Sequence, residues 1–362
     1  MIKSFFTKDQ SWLDKWDNYL QETERGLYNQ LSFWIKAYSV YGFNHDFYIV
    51  TDNDEIIGGC GIVIARFSIF KFLIVPSGPV LDKNQEHLID SILNDLKEYA
   101  VQKNCCFFQI NLPIIKEGVG FHDYTLDKIS SNSIFYSGLE GMKFKYVIPL
   151  FGMRLVDLCD KTFDEVVQGF GSNHKRNLKK ASSFDFQFQQ VKTKEAIAEA
   201  YNCFVQNSRD KGYPLRSYNS MKDTLQNYVA NDQAIIATCV YQNKVVGAIY
   251  VMICGKRLIY INGGVIKEYH NLPISVYMHT ELIKYSIEKG YKSYDFSVGG
   301  SEGVIRFKEG FGSQLFNFEN SRYWVFKPFY FKIYIFLEER IKPYKQSIAS
   351  LLFIFKKILN RD

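Results

Sequence analysis

The chain has 362 residues, 47% apolar and 23% charged, with a net charge of +6. That is enough for two ordinary domains with sizeable cores, and the balance excludes a disordered chain. No apolar run reaches the roughly eighteen residues that a membrane-spanning helix needs; FSIFKFLIV (67–75) and SLLFIFKKIL (350–359) are too short. The modest positive excess permits a polyanionic partner such as tRNA, a diphosphate or an anionic lipid surface, without requiring one. From Tyr323 to Asp362, eight Lys or Arg stand against three acids, so that segment alone carries +5.

In chain order, QLSFWIKAYSVYG (30–42) reads as an amphipathic helix stopping at Gly42. DFYIVTDNDEIIGGCGIVIAR (46–66) reads as two strands around Asp52-Asn53-Asp54. Leu88, Ile92, Leu93, Leu96, Tyr99 and Ala100 have helical spacing, and CCFFQINLP then reads as a buried strand ending at Pro113. TFDEVVQGFGSNHKRNLKKASS predicts helix, loop, helix, with Ser172 as N-cap of the second. A helix ending at Gly212 follows, then a strand meander over 234–264, a helix over PISVYMHTELIKYSIEKG, and a strand YKSYDFS.

The two halves echo each other. TDNDEIIGGCGIVI (51–64) lies over VYQNKVVGAIYVMI (240–253): a polar turn, two β-branched residues, a glycine (Gly58, Gly247), then an apolar strand. In each half a helix and a buried strand follow. Two copies of one mixed α/β unit are the economical explanation. The boundary falls near KFKYVIPLFG (143–152), and the basic tail after FKEGFG is expected to pack back on the first half.

Seven cysteines with no CxxC pair read as reduced, buried thiols, and six isolated histidines give no metal-ligand spacing. The glycine-rich stretch YDFSVGGSEGVIRFKEGFG (294–312) has neither P-loop nor dinucleotide-fingerprint spacing. Its glycines let a backbone approach a ligand, and Lys308 beside Phe307 is either a cation for a developing carbonyl oxyanion or phosphate, or a surface lysine on a turn. SNHKRNLKKA (172–181) puts Lys175, Arg176, Lys179 and Lys180 in the first turns of a helix. Such a run fits phosphate contact, and equally a solvated basic face. In SRDKGYPLRSY (208–218), Arg209 and Arg216 flank a Gly-Tyr-Pro turn in a manner suited to a diphosphate, or to a helix C-terminus.

HKRNLKKA, SRDKGYPLR, YINGGVIKEYHNLPISVYMHTELIKYSIEKGYKSYDFSVGG and GVIRFKEGFG, in that order, resemble the Fem (FemABX) family of nonribosomal peptidyltransferases. The resemblance covers most of the chain, and YDF…FKEGFG is its most specific part. It implies two tandem GNAT-like (acetyltransferase-like) domains of α/β class with mixed sheets: residues 1–145 completed by 316–362, and residues 146–315. It implies transfer of an amino acid from aminoacyl-tRNA to the side-chain amine of a peptidoglycan stem peptide. Carried over by position, Phe307 and Lys308 would stabilise the tetrahedral intermediate. Arg209 would bind precursor phosphates, with Lys36, Arg216 and Tyr213 as further substrate contacts. Lys175, Arg176, Lys179 and Lys180 would meet tRNA or phosphate. Asp295 reads as structural. RDKGY stands where the family usually has RDGF, and the coiled-coil insertion of some members is missing.

The alternative is an acyl-CoA-dependent N-acyltransferase of cell-surface polysaccharide or lipid biosynthesis. The pyrophosphate loop [QR]xxGx[GA] has no good copy here; QGFGSN (168–173) has its glycines out of register. A third possibility is an idle binding module. The partners implied are aminoacyl-tRNA and a UDP- or lipid-linked precursor, with no cofactor and no metal, and a monomer. The start MIKSFFTKDQSW lacks a signal-peptide core, so a cytoplasmic protein is expected. Its basic aromatic tail is suited to peripheral contact with the inner membrane face.

Overall fold

A computed structural model describes residues 1–67, 69–115, 147, 150–213 and 215–341. The expected boundary at 143–152 and the tail from 342, with Pro343, lie wholly or largely outside these residues. The first half runs β1 (Ile2–Thr7), α1 (Gln10–Glu22), α2 (Ser32–Lys36), β2 (Asn44–Asp52), β3 (Glu55–Phe67), β4 (Phe70–Val75), β5 (Val80–Leu81), α3 (Ile89–Gln102) and β6 (Phe107–Ile110). The second runs β7 (Gly152–Asp157), α4 (Phe163–Gln168), α5 (Ser172–Ala181), β8 (Gln187–Gln190), α6 (Lys194–Lys211), α7 (Tyr218–Ala230), β9 (Ala234–Tyr241), β10 (Lys244–Cys254), β11 (Arg257–Val265), α8 (Ile274–Glu288) and β12 (Ser293–Asp295). Then come α9 (Glu302–Glu309), β13 (Gln314–Asn317), β14 (Arg322–Val325) and α10 (Pro328–Ile341).

The described residues form two seven-stranded mixed sheets, ordered β1-β2-β3-β4-β6-β14 with β5 on β3, and β13-β7-β12-β11-β10-β9-β8. The repeat read from sequence holds to the residue. Both hairpins turn on two residues of positive φ, Asn53-Asp54 and Gln242-Asn243, which match the twist of the flanking strands. Both then shift register by one residue just before the glycine, at Ile57 and at Val246. Each copy next makes one parallel pair, β4 with β6 and β11 with β12, with α3 or α8 as the crossover.

Several expectations change. The single helix over 30–42 is α2 followed by a 3-10 turn, Ala37–Tyr41, before Gly42. Strand β1 and helices α1 and α7 were not read from the sequence; α1 has mean polarity that masks its buried stripe of Leu13, Trp16 and Leu20. Gly171, not Ser172, caps α5, and it offers no side-chain oxygen. Six cysteines are buried, but Cys159 is exposed. The chain crosses back between β13, which pairs with β7 in the second sheet, and β14, which pairs with β6 in the first. Tyr334 and Phe331 of α10 then pack on Phe72 and Phe107 of that first sheet.

Candidate active site

The two copies differ where their parallel strand pairs end. In the first, Asn111 donates to Val75 and Gly78 to Asn111, so β4 and β6 stay joined past their ends. In the second, the β11–β12 pairing stops at Ile259 and Asp295, and the Phe296 N–H turns to Arg154 of β7. β11 continues to Val265 paired with β10 on one side only. The space beside it is a cavity of about 740 Å³ whose walls include Tyr213, Tyr260, Asn262, His279, Phe307 and Lys308. Phe307 also lines an adjoining cavity of about 560 Å³, with Ser172, His174, Asn177 and Arg306. Neither lining contains a carboxylate, while Lys211 and Lys308 both face the first.

The glycine-rich stretch is a loop and a helix. Gly300 sits at φ +144, and a Cβ there would lie 2.6 Å from Val304, so the loop needs glycine to fold onto α9. Ser301 starts α9, which puts Phe307 and Lys308 in its last turn. Lys308 is not a surface lysine: it is 2% exposed. Its Nζ donates to the carbonyls of Gly299 at 2.6 Å and Ser297 at 3.1 Å, with Ser297 Oγ at 3.5 Å. Two acceptors are close; the third, Ser297 Oγ, lies at the long limit of a hydrogen bond and is the one a ligand in the cavity can replace. Burial lowers the amine from 10.5 to about 8, offset in part by Asp295. Asp295 itself, read as structural, accepts from the backbone N–H groups of Arg154 (3.1 Å) and Ser297 (2.7 Å).

Phe307 is wedged between two imidazoles. Its centroid lies 5.2 Å from His174 and 5.6 Å from His279. His279, on α8, is buried, and burial with the nearby Lys308 charge pushes it down to about 3, so it is neutral. Its Nδ1 lies 2.8 Å from the Tyr294 hydroxyl. Sequence reasoning gave no role to His279, because a lone histidine in an apolar helix reads as core, nor to Tyr294, although Tyr294 opens the glycine-rich stretch. Three helix N-termini border the two cavities, at Gly171, Pro273 and Ser301, and none has a side-chain cap. Their free N–H groups favour negative charge.

The other expected residues are spread out. Tyr213 lines the first cavity, its hydroxyl 3.0 Å from Asn207 Nδ2 and 3.4 Å from Asn262 Oδ1. Arg209 is exposed in the last turn of α6; Lys211, not Arg209, reaches the cavity wall from that segment. Arg216 stacks 5.2 Å over the Tyr41 ring, which brings it to the 3-10 turn that follows Lys36. Lys36 donates to Gln10 Oε1 at 2.7 Å, and partial burial lowers its amine. Lys175 and Arg176 are exposed and held by Gln168 O (2.7 Å) and Asn173 Oδ1 (2.6 Å). Lys179 and Lys180 are exposed in the last turn of α5. The polar residues of α5 that wall the second cavity are Ser172, Asn173, His174 and Asn177, not its four cations. Among the described residues no group of His, Cys, Asp and Glu is placed to hold a metal.

A tandem pair of mixed sheets, the second with an open parallel-strand crevice, defines a class, and residues 170–309 match the acetyltransferase (GNAT) domain. Residues 13–239 match the FemAB family, and the chain belongs to it. Aminoacyltransferase FemA of Staphylococcus aureus (strain bovine RF122 / ET3-1) is 26% identical over 142 residues, 36% of this chain and 34% of FemA. The chain thus aligns with about a third of that relative's length. The structure of FemX superposes with a TM-score of 0.74 at 12% identity, over 91% of this chain and 99% of FemX. L-PGS from Bacillus licheniformis gives 0.53 at 15% identity, over 88% and 92%. At these identities the structural matches speak for the tandem GNAT-like fold.

Proposed function

We propose that this protein transfers an amino acid from aminoacyl-tRNA to the side-chain amine of a peptidoglycan precursor stem peptide, building a cell-wall bridge. The observation that carries the reading is Lys308, buried at a carboxylate-free cavity with two close carbonyl acceptors and only a long 3.5 Å contact for its third N–H, in a chain of the FemAB family. The neutral acceptor amine attacks the ester carbonyl. A C–N bond forms, and the carbonyl electrons move to oxygen, where the third Lys308 N–H meets the oxyanion. Collapse breaks the C–O bond to the terminal ribose, and the ammonium proton passes to the leaving ribose oxygen. Aminolysis of an ester is downhill, so alignment and oxyanion stabilisation suffice, without a histidine-based triad. Phe307, fixed between His174 and His279, shapes the wall against which the ester lies.

In this reading the uncapped helix ends beside Phe307 receive the phosphates of the tRNA 3′ end, and the exposed cations Lys175, Arg176, Lys179 and Lys180 meet its backbone. Arg209, Arg216, Lys36 and Tyr213 hold the UDP- or lipid-linked acceptor. The protein works in the cytoplasm as a monomer, with its basic C-terminal segment at the inner face of the membrane. The GNAT-domain match over 170–309 keeps acyl-CoA as the competing donor.

A donor competition separates the two. Purified protein receives precursor with total tRNA charged with labelled amino acids, or precursor with labelled acetyl-CoA. Label moving from tRNA, lost on ribonuclease treatment and in Lys308→Ala, is expected. Transfer from acetyl-CoA alone overturns the reading.

A further inference from the structure

One end of the first sheet joins three segments that the proposed chemistry does not use. They are the hairpin Arg66–Lys71, the turn Lys103–Cys106 and the stretch Lys327–Lys332 that opens α10. Backbone bonds hold them together: Cys106 N–H to Lys71 O at 2.6 Å, and the Phe326 and Lys327 N–H groups to Cys106 O at 2.9 and 3.0 Å. Phe70 at the hairpin packs edge-on against Tyr330 and Tyr334, with centroids 6.4 and 5.9 Å apart.

The composition of this end is one-sided. The three segments contain five cations, Arg66, Lys71, Lys103, Lys327 and Lys332, and no Asp or Glu. Between the cations stand large apolar side chains that the fold leaves in water: Ile69 is 65% exposed, Phe329 71% and Tyr330 38%. Phe336 is 59% exposed and lies two turns beyond Phe329 on the same helix face. Exposed aromatic and aliphatic side chains on segments that also carry cations suit a boundary between headgroups and acyl chains: the apolar tips enter and the cations stay among the phosphates. A protein partner with an acidic rim would need to match both; an anionic bilayer does so without specific shape.

We propose that the end of the first sheet formed by this hairpin, this turn and the start of α10 is a docking surface for an anionic lipid bilayer. The helix lies along the membrane with Phe329 and Phe336 down, and Ile69 enters from the hairpin that Phe70 joins to Tyr330 and Tyr334. The tail beyond 341, with Lys342, Lys345, Lys356, Lys357 and Arg361 against Asp362, adds attraction from the same end of the chain. The surface lies outside the Lys308 cavity, so the proposal stands or falls apart from the acyl-transfer reading.

The test is sedimentation of the full-length protein with vesicles of phosphatidylglycerol mixed with phosphatidylcholine, against phosphatidylcholine alone. Binding to the anionic vesicles only, weakened by salt, is expected. The double substitution Ile69→Asp with Phe329→Asp should lower partitioning by at least about tenfold. Both positions are exposed, so the thermal midpoint should not move. Lys71→Glu with Lys332→Glu should weaken binding in the same direction. No binding to anionic vesicles overturns the proposal. So does equal binding by the Ile69/Phe329 variant while Lys356→Glu with Lys357→Glu abolishes it, because the tail would then act alone. A wild-type dimer that the Ile69/Phe329 variant converts to monomer also overturns it, because the patch would belong to a second copy.

Discussion

The Lys308 ammonium sits where its charge is disfavoured. Between about pH 8 and the ordinary lysine value of 10.5, the folded protein holds fewer protons on this amine than the unfolded chain does. Stability therefore rises with pH through that window, and the full cost stands below pH 8. Lys308→Met removes the buried charge. At pH 7 it should raise unfolding stability by on the order of 1–3 kcal/mol, less whatever the two loop hydrogen bonds contributed. Equilibrium denaturation at pH 7 and pH 10.5 should show that gain shrinking at the higher pH. The same substitution should cost roughly 10²–10³ in transfer rate, the usual effect of losing an oxyanion donor. The cationic Lys308 meets the oxyanion while the neutral acceptor amine attacks, so wild-type rate should climb with pH to about 8 and level off above it, where loss of the cation cancels the gain in neutral amine. A wild-type rate that keeps climbing past pH 8, as the residual Lys308→Met rate should, would argue against the role.

At the scale of elements, α9 is set by its contact with α5. A Cβ on Gly310 would lie 2.1 Å from Cε1 of His174, so the helices approach through that glycine. His174 in turn packs on Phe307 and Phe311, with centroids 5.2 and 4.4 Å away. Gly310→Ala should push the His174 ring away, destabilise the protein by roughly 1–3 kcal/mol and shift Phe307. Adding His174→Ala should recover part of that loss, and a double-mutant cycle by chemical denaturation measures the coupling. Additive losses would mean that the two residues do not meet. The helix ending at Gly212, the paired turns and the glycines after each bulge were all legible in the sequence, because backbone geometry at those points restricts residue type. The Gly310–His174 contact was not, because 136 residues separate the partners.

Among the described residues the halves share one apolar cluster and are tied further by buried polar contacts. Arg257 at the start of β11 is 1% exposed and donates to Gly26 O at 2.6 Å. Gly255 N–H donates to Leu20 O at 3.0 Å. Gln233 reaches Asp17 at 3.4 Å, and burial raises the Asp17 carboxyl. Such an interface leaves neither half able to open without stranding polar groups. Calorimetry should therefore show one transition. Arg257→Ala should lower stability by about 2–4 kcal/mol, moving that transition without splitting it. Two separated transitions in the wild type would show that the halves unfold independently.

The sequence by itself determined the repeat, the class of fold and the residue most worth testing. Turn chemistry, strand alternation and glycine placement are local, and a motif such as FKEGFG keeps its spacing whatever surrounds it. Only the tertiary structure decided that, among the described residues, it is the second copy whose parallel strands part into a crevice. That choice turns on whether Asn111 or Arg154 takes up the backbone beyond a strand end, a partnership between distant segments. It likewise decided that Lys308 is buried with a lowered amine, because the Ser297 and Gly299 carbonyls and the walls that exclude water come from the folded loop. Burial, and with it the strength of a charge, belongs to the packed molecule and not to any stretch of its chain.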